Sequence, residues 1–196
     1  MERLWKAFAG GFWMPDVRIR PALPLVLAGL MMLLPIPLVC AAMVAACFHE
    51  LCHLAALKLL GHPVFGVELG PLGARIVTEE LEPLDELICA LAGPLGALLL
   101  LSVARWVPLV ALFAVAHSAW NLIPLYPMDG GRAVACFLKL LGIGERGIFL
   151  FSLLTCLAVA GAGLWAGSRW GPLPLILSEI ILAKWALVAY NKRRIK

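Results

Sequence analysis

Apolar residues run along this chain in blocks too long for an ordinary globular core. Residues 21–48 are 28 positions without a charge. A helix needs roughly 20 apolar residues to cross about 30 Å of hydrocarbon. The Pro35-Ile36-Pro37 punctuation breaks helices and divides the block. One span is predicted to end near Leu34 and a second to run from about Ile36 to Leu60. Later blocks predict spans at about 87–104, 108–127, 147–167 and 173–190, which makes six transmembrane helices. The first is the shortest and carries Pro24 inside it.

The stretch from Gly61 to Glu86 breaks this pattern. Val64–Leu69 and Ala74–Thr78 are short β-prone runs joined by Gly70-Pro71-Leu72-Gly73, which predicts a β-hairpin between spans two and three. Glu79, Glu80, Glu82, Asp85 and Glu86 follow, a solvated acidic stretch that ends by setting carboxylates on a helix N-terminus. The fold class is thus an all-α polytopic membrane protein with one small hairpin. The expected organisation is a single domain over 1–196, with a core at about 20–140 and further spans at about 147–190.

Composition agrees with the pattern and excludes other classes. Of 196 residues, 63% are apolar and 14% charged, and the mean hydropathy is +0.97. No soluble domain of this size hides that much apolar surface, and a disordered chain has the opposite balance. A net charge of +4 is too small for a nucleic-acid domain. Six cysteines lie almost entirely in apolar runs without a C-x-x-C pair, so they read as buried free thiols. The first 20 residues mix both signs of charge ahead of an apolar run too long for a cleavable signal peptide.

Charge also orients the chain. With the N-terminus in the cytoplasm, thirteen of the sixteen basic residues fall on the inner side, including Arg18, Arg20, Lys58, Arg75, Arg132 and Arg146. Arg105 and Arg169 fall outside, and Lys184 lies within the last span. The positive-inside rule therefore places both termini in the cytoplasm of a multi-pass cell-membrane protein. Trp5, Trp13, Trp106, Trp165, Trp170 and Tyr190 stand near span ends, as aromatic-belt residues do.

The chemistry lies in the second span, where His49-Glu50-Leu51-Cys52-His53 forms an H-E-x-x-H motif. Positions i and i+4 share a helix face, so two imidazoles there can hold one zinc ion. The glutamate beside them can act as general base on water. One charge near the centre of a span costs about 2.5–3.5 kcal/mol, so three titratable groups within five residues need a reason. A polar cluster satisfied between helices, or a proton relay, is the bland alternative.

A catalytic zinc wants a third protein ligand and an open position. The extended H-E-x-x-H-x-x-G-x-x-H pattern fails, because Ala56 and Leu59 stand where Gly and His belong. Glu68 to Glu86 all fall in the hairpin or the acidic stretch and are poorer candidates. Asp129 is better: it is the only carboxylate between Glu86 and Glu145, and it stands between Pro127 and the Gly130-Gly131 pair, read as helix breakers. Irregular backbone at membrane depth occurs where it lines a protein-buried or watery cavity. Spans two and four run toward the same side, so His49, His53 and Asp129 can share one depth.

H-E-x-x-H in one span, with Asn121-Leu122-Ile123-Pro124 and Asp129-Gly130 at the end of a later one, resembles the site-2 protease family of intramembrane zinc metalloproteases. Within it, the small branch related to the sporulation pro-sigma-factor processing enzyme, stage IV sporulation protein FB, is the best match. The hairpin turn and Ala92-Gly93-Pro94-Leu95-Gly96 also sit where that branch has similar segments. The resemblance implies one Zn2+ per chain on His49, His53 and Asp129, with Glu50 as catalytic base. It implies that Asn121 holds the substrate carbonyl or steadies the oxyanion, and that the hairpin guides an unwound substrate strand by edge pairing. Cys52 departs from the glycine the family commonly has before the second ligand.

The implied activity is zinc-dependent endopeptidase cleavage within or beside the transmembrane segment of a membrane-anchored protein substrate. The implied partners are that substrate and the lipid bilayer, with room for an inhibitory or regulatory membrane partner and no nucleic acid. The alternatives are a non-proteolytic zinc-binding pseudo-protease, against which intact Glu50 argues, and an ion transporter, against which the lack of inverted repeats argues. His117, one turn before Asn121, either faces the site or bonds between helices. His62 reads as a polar cap or loop residue.

Overall fold

A computed structural model describes residues 16–183 except 72, 175 and 177. Trp5, Trp13, Tyr190 and the end of the sixth predicted span lie outside the described residues. The chain forms two compact units, Met1–Asn121 and Leu122–Lys196.

The first unit opens with strand β1 (Asp16–Ile19) and helix α1 (Ala22–Leu33). Helix α2 (Ile36–Leu60) follows. Pro35 caps it and Pro37 lies in its first turn, where a missing N–H costs nothing, so the proline pair starts this helix rather than bending it. It ends at Gly61, whose φ of 83° is a left-handed conformation that suits glycine. There Gly61 N–H donates to Lys58 O and His62 N–H to Leu57 O, a Schellman closure.

Strands β2 (Val64–Gly70) and β3 (Gly73–Thr78) form the expected hairpin. The sheet is larger than expected, however. β1 pairs in parallel with the other side of β2, giving the order β1-β2-β3. Arg20 donates to Glu68 at 2.9 Å across that edge, and this hydrogen bond holds the Glu68 carboxyl below the usual carboxylate range. The hairpin rests on a small core of Ala56, Leu57 and Cys89, to which Val64, Ile76 and Leu81 add.

Helix α3 (Pro83–Ala97) starts four residues earlier than predicted, with Pro83 and the carboxylates of Asp85 and Glu86 in its first turn. It tightens into a 3-10 turn over Leu98–Val103. Helix α4 (Pro108–Asn121) closes the unit.

The second unit begins with a folded loop and helix α5 (Asp129–Leu140), followed by α6 (Glu145–Trp170). Residues 178–183 are helical again. They pack on α6 where a Cβ at Gly163 would run into the Ser178 hydroxyl.

Two expectations change here. The fourth predicted span, 108–127, is helical only to Asn121, because Pro124 and Pro127 cannot continue it. Gly130-Gly131 does not break a helix but opens α5. Both glycines press against the loop backbone, where a Cβ at Gly130 would overlap Leu122 O and one at Gly131 would overlap Leu125 and Tyr126. Among the described residues, three helices are long and apolar enough to cross a membrane: Ile36–Leu60, Pro83–Val103 and Glu145–Trp170. The fold supports this mostly helical membrane protein; α1 is a shorter apolar helix.

Candidate metal centre

The first unit brings the two motif histidines together. His49 and His53, one turn apart on α2, are both buried, and their Nε2 atoms lie 3.1 Å apart. His53 Nδ1 is 2.7 Å from Cys89 O on α3. A carbonyl only accepts, so Nδ1 carries the proton and the Nε2 lone pair is left for a ligand role. The same carbonyl fixes the plane of the ring.

These atoms fit a metal ion. Two nitrogens on a tetrahedral zinc at about 2.0–2.1 Å are about 3.3–3.4 Å apart, close to the 3.1 Å observed. The space beside them is kept by Gly93 on α3: a Cβ there would overlap His53 Nε2 and stand 2.8 Å from His49 Nε2. A glycine inside a helix costs about 1 kcal/mol against alanine. At this position the close approach of two imidazoles accounts for it.

Glu50 is half-buried beside this pair. The backbone N–H of Ala74, on edge strand β3, donates to its Oε1 over a long 3.4 Å. The motif carboxylate is thus tied to the hairpin. Cys52 packs against α3 at Gly96, where a Cβ would stand 2.5 Å from its sulfur. The close helix approach that a glycine at 52 would permit is kept by a glycine on the facing helix.

Helix α4 contributes His117 and Asn121. The His117 ring stands edge-to-face against His49, with centroids 4.7 Å apart and planes at 90°. Asn121 Nδ2 donates to His117 O at 3.1 Å, which directs one amide N–H back along its own helix.

Asp129 belongs to the second unit. It is a buried carboxylate in the first turn of α5, with Arg132 Nη1 3.8 Å from its Oδ1. Leu125 and Met128 of the preceding loop are buried with it.

From the sequence alone, His62 is expected to be a cap or loop residue. Its backbone does close the α2 C-terminus, but its ring also bridges two carboxylates. Nδ1 lies 2.8 Å from Glu79 Oε1, and Nε2 lies 2.9 Å from Asp85 Oδ2. The Glu79 hydrogen bond, aided by Asp85 and opposed by partial burial, raises the His62 pKa. Neither Cys89, which acts through its backbone, nor this bridge leaves a local signal in the sequence. Gly93 does, as a glycine within an apolar helix.

No family model matches the chain, and no curated protein matches it. Among solved structures it is similar to the site-2 protease from Methanocaldococcus jannaschii. The TM-score is 0.66 at 21% identity, over 90% of this chain and 92% of that one. At this identity the likeness is one of fold.

Proposed function

We propose that this chain is a zinc-dependent intramembrane endopeptidase of the site-2 protease type, acting on a membrane-anchored protein as one catalytic domain. The observation that carries the reading is the pair of buried Nε2 atoms 3.1 Å apart, with Gly93 beside them and Glu50 next in the chain. The shared fold with a site-2 protease supports it. Kinship with the sporulation branch belongs to the proposal and rests on the sequence motifs.

In this reading His49 and His53 would supply two nitrogen ligands and Asp129, as the motif resemblance implies, a carboxylate, a donor set suited to zinc. Bound zinc supplies Lewis acidity to a peptide carbonyl and acidifies water. Glu50 takes a proton from the attacking water as its oxygen adds to the scissile carbon, then returns that proton to the leaving amine as the C–N bond breaks. The second amide N–H of Asn121 steadies the carbonyl oxygen. A peptide bond within a helix is closed to attack, so the substrate must unwind first.

The test is zinc content and cleavage on one detergent-purified sample, with a panel of single-span substrates. Wild type is expected to hold one zinc and to cleave. Glu50→Gln should keep the zinc while activity falls by about 10²–10⁴-fold, and His49→Ala should lose both. Ordinary activity in Glu50→Gln overturns the mechanism. Zinc in both proteins with no cleavage favours the non-proteolytic binder.

A further inference from the structure

His53 has an evident device for holding its ring, the Cys89 carbonyl. His49 needs one as well. Rotation about χ2 of histidine is broad and roughly two-fold, so its ring plane must be set by its neighbours. Ligating histidines are commonly held by a further group, and losing it typically costs 10–100-fold in metal affinity.

Helix α4 is placed to supply that group. Ala111, Ala114 and Ser118 lie buried along one face of it, and their small side chains let the helix come close. Ser118 Oγ donates to Pro94 O at 2.9 Å, next to the Gly93 that makes room for the histidine pair. This bond sets the register of α4 against α3. The preceding residue, His117, then meets His49 edge-to-face at 4.7 Å, while His53 meets His49 at 4.8 Å and 79°. His49 is flanked by two imidazoles set nearly perpendicular to it.

We propose that His117 is a positioning residue of the His49 imidazole, its perpendicular ring helping to fix the plane in which His49 presents Nε2. The inference rests on the metal reading above. His117 does not hold the metal; it acts through His49. The aromatic ring does this work by packing, at a geometry aromatic pairs favour.

The experiment measures Co2+ binding to the detergent-purified full chain, using the visible ligand-field absorption as both titration signal and report of geometry. Wild type is compared with His117→Ala and His117→Phe. His117→Ala is expected to weaken Co2+ binding at least 10-fold and to alter the absorption envelope. Thermal stability of the chelator-treated protein should stay near wild type, a readout that a merely structural role would lower. His117→Phe keeps a ring in the slot and should restore affinity to within a few-fold. Wild-type affinity and spectrum in His117→Ala overturn the inference while leaving the protease reading intact. His117→Phe binding as weakly as His117→Ala overturns the packing role. A wild type that binds no Co2+ overturns the metal reading and this inference with it.

Discussion

At the scale of single residues, the histidine pair depends on what is missing beside it. Gly93 places no atom where His53 Nε2 and His49 Nε2 converge, and any side chain would displace one of the rings. Gly93→Ala is therefore expected to abolish stoichiometric zinc binding and to lower cleavage by more than about 10²-fold, the scale set by misplacing a reacting group by about 1 Å. Metal analysis of the purified variant checks this. Retained zinc at wild-type stoichiometry would mean that the rings have room to shift. Alanine is the better helix former by about 1 kcal/mol, so weak helix formation by the variant cannot account for such a loss. Gly96 carries a related but milder constraint, because a Cβ there meets only the small Cys52 side chain.

At the scale of elements, the hairpin is secured at its base by His62, which ties the end of α2 to Glu79 after β3 and to Asp85 in the first turn of α3. The folded pKa of His62 lies above its unfolded value. Its contribution is therefore fully present below the unfolded pKa of about 6.5 and is lost as pH rises through the folded pKa. Hydrogen-exchange protection factors for β2 and β3 should be larger near pH 5.5 than near pH 8.5, a window set around that pKa. His62→Gln should remove this difference; an undiminished difference in the variant would place the pH dependence elsewhere. Elements encoded locally were legible in the sequence. The hairpin announced itself by β-prone runs around Gly70-Pro71-Leu72-Gly73, and α2 by its H-E-x-x-H face. Elements that depend on distant partners were not. β1 is four residues alternating with charge, and it becomes a strand only by pairing with β2 about fifty positions later. The Gly130-Gly131 pair opens a helix because the loop before it leaves no space for side chains. That is packing overriding intrinsic propensity.

At the scale of the molecule, exposed apolar surface implies the solvent. α1 buries no residue and leaves Met32 and Leu33 more than four-fifths exposed, while α6 buries only Cys156 and Gly163 along 26 residues. Hydrocarbon, not water, suits such helices. α1, with 12 residues, is about 18 Å long at about 1.5 Å per residue, short of a bilayer of about 30 Å. Strand pairing nevertheless argues that it crosses. β1 precedes α1, β2 follows α2, and the two strands lie side by side in one sheet. The chain therefore makes an even number of crossings between them. α2 is long enough to be one, so α1 is predicted to be the other, with flanking residues and local bilayer thinning absorbing the mismatch. Arg18 in β1, Arg20 just after it and Arg75 on β3 predict the cytoplasmic side for that sheet. Reporter fusions test the whole arrangement. A fluorescent protein at either end should fluoresce, and alkaline phosphatase at either end should stay inactive. An active phosphatase at the N-terminus alone would mean an odd number of crossings over the whole chain and would remove one of the six spans. Activity at both ends would keep the even count and reverse the orientation that the arginines predict.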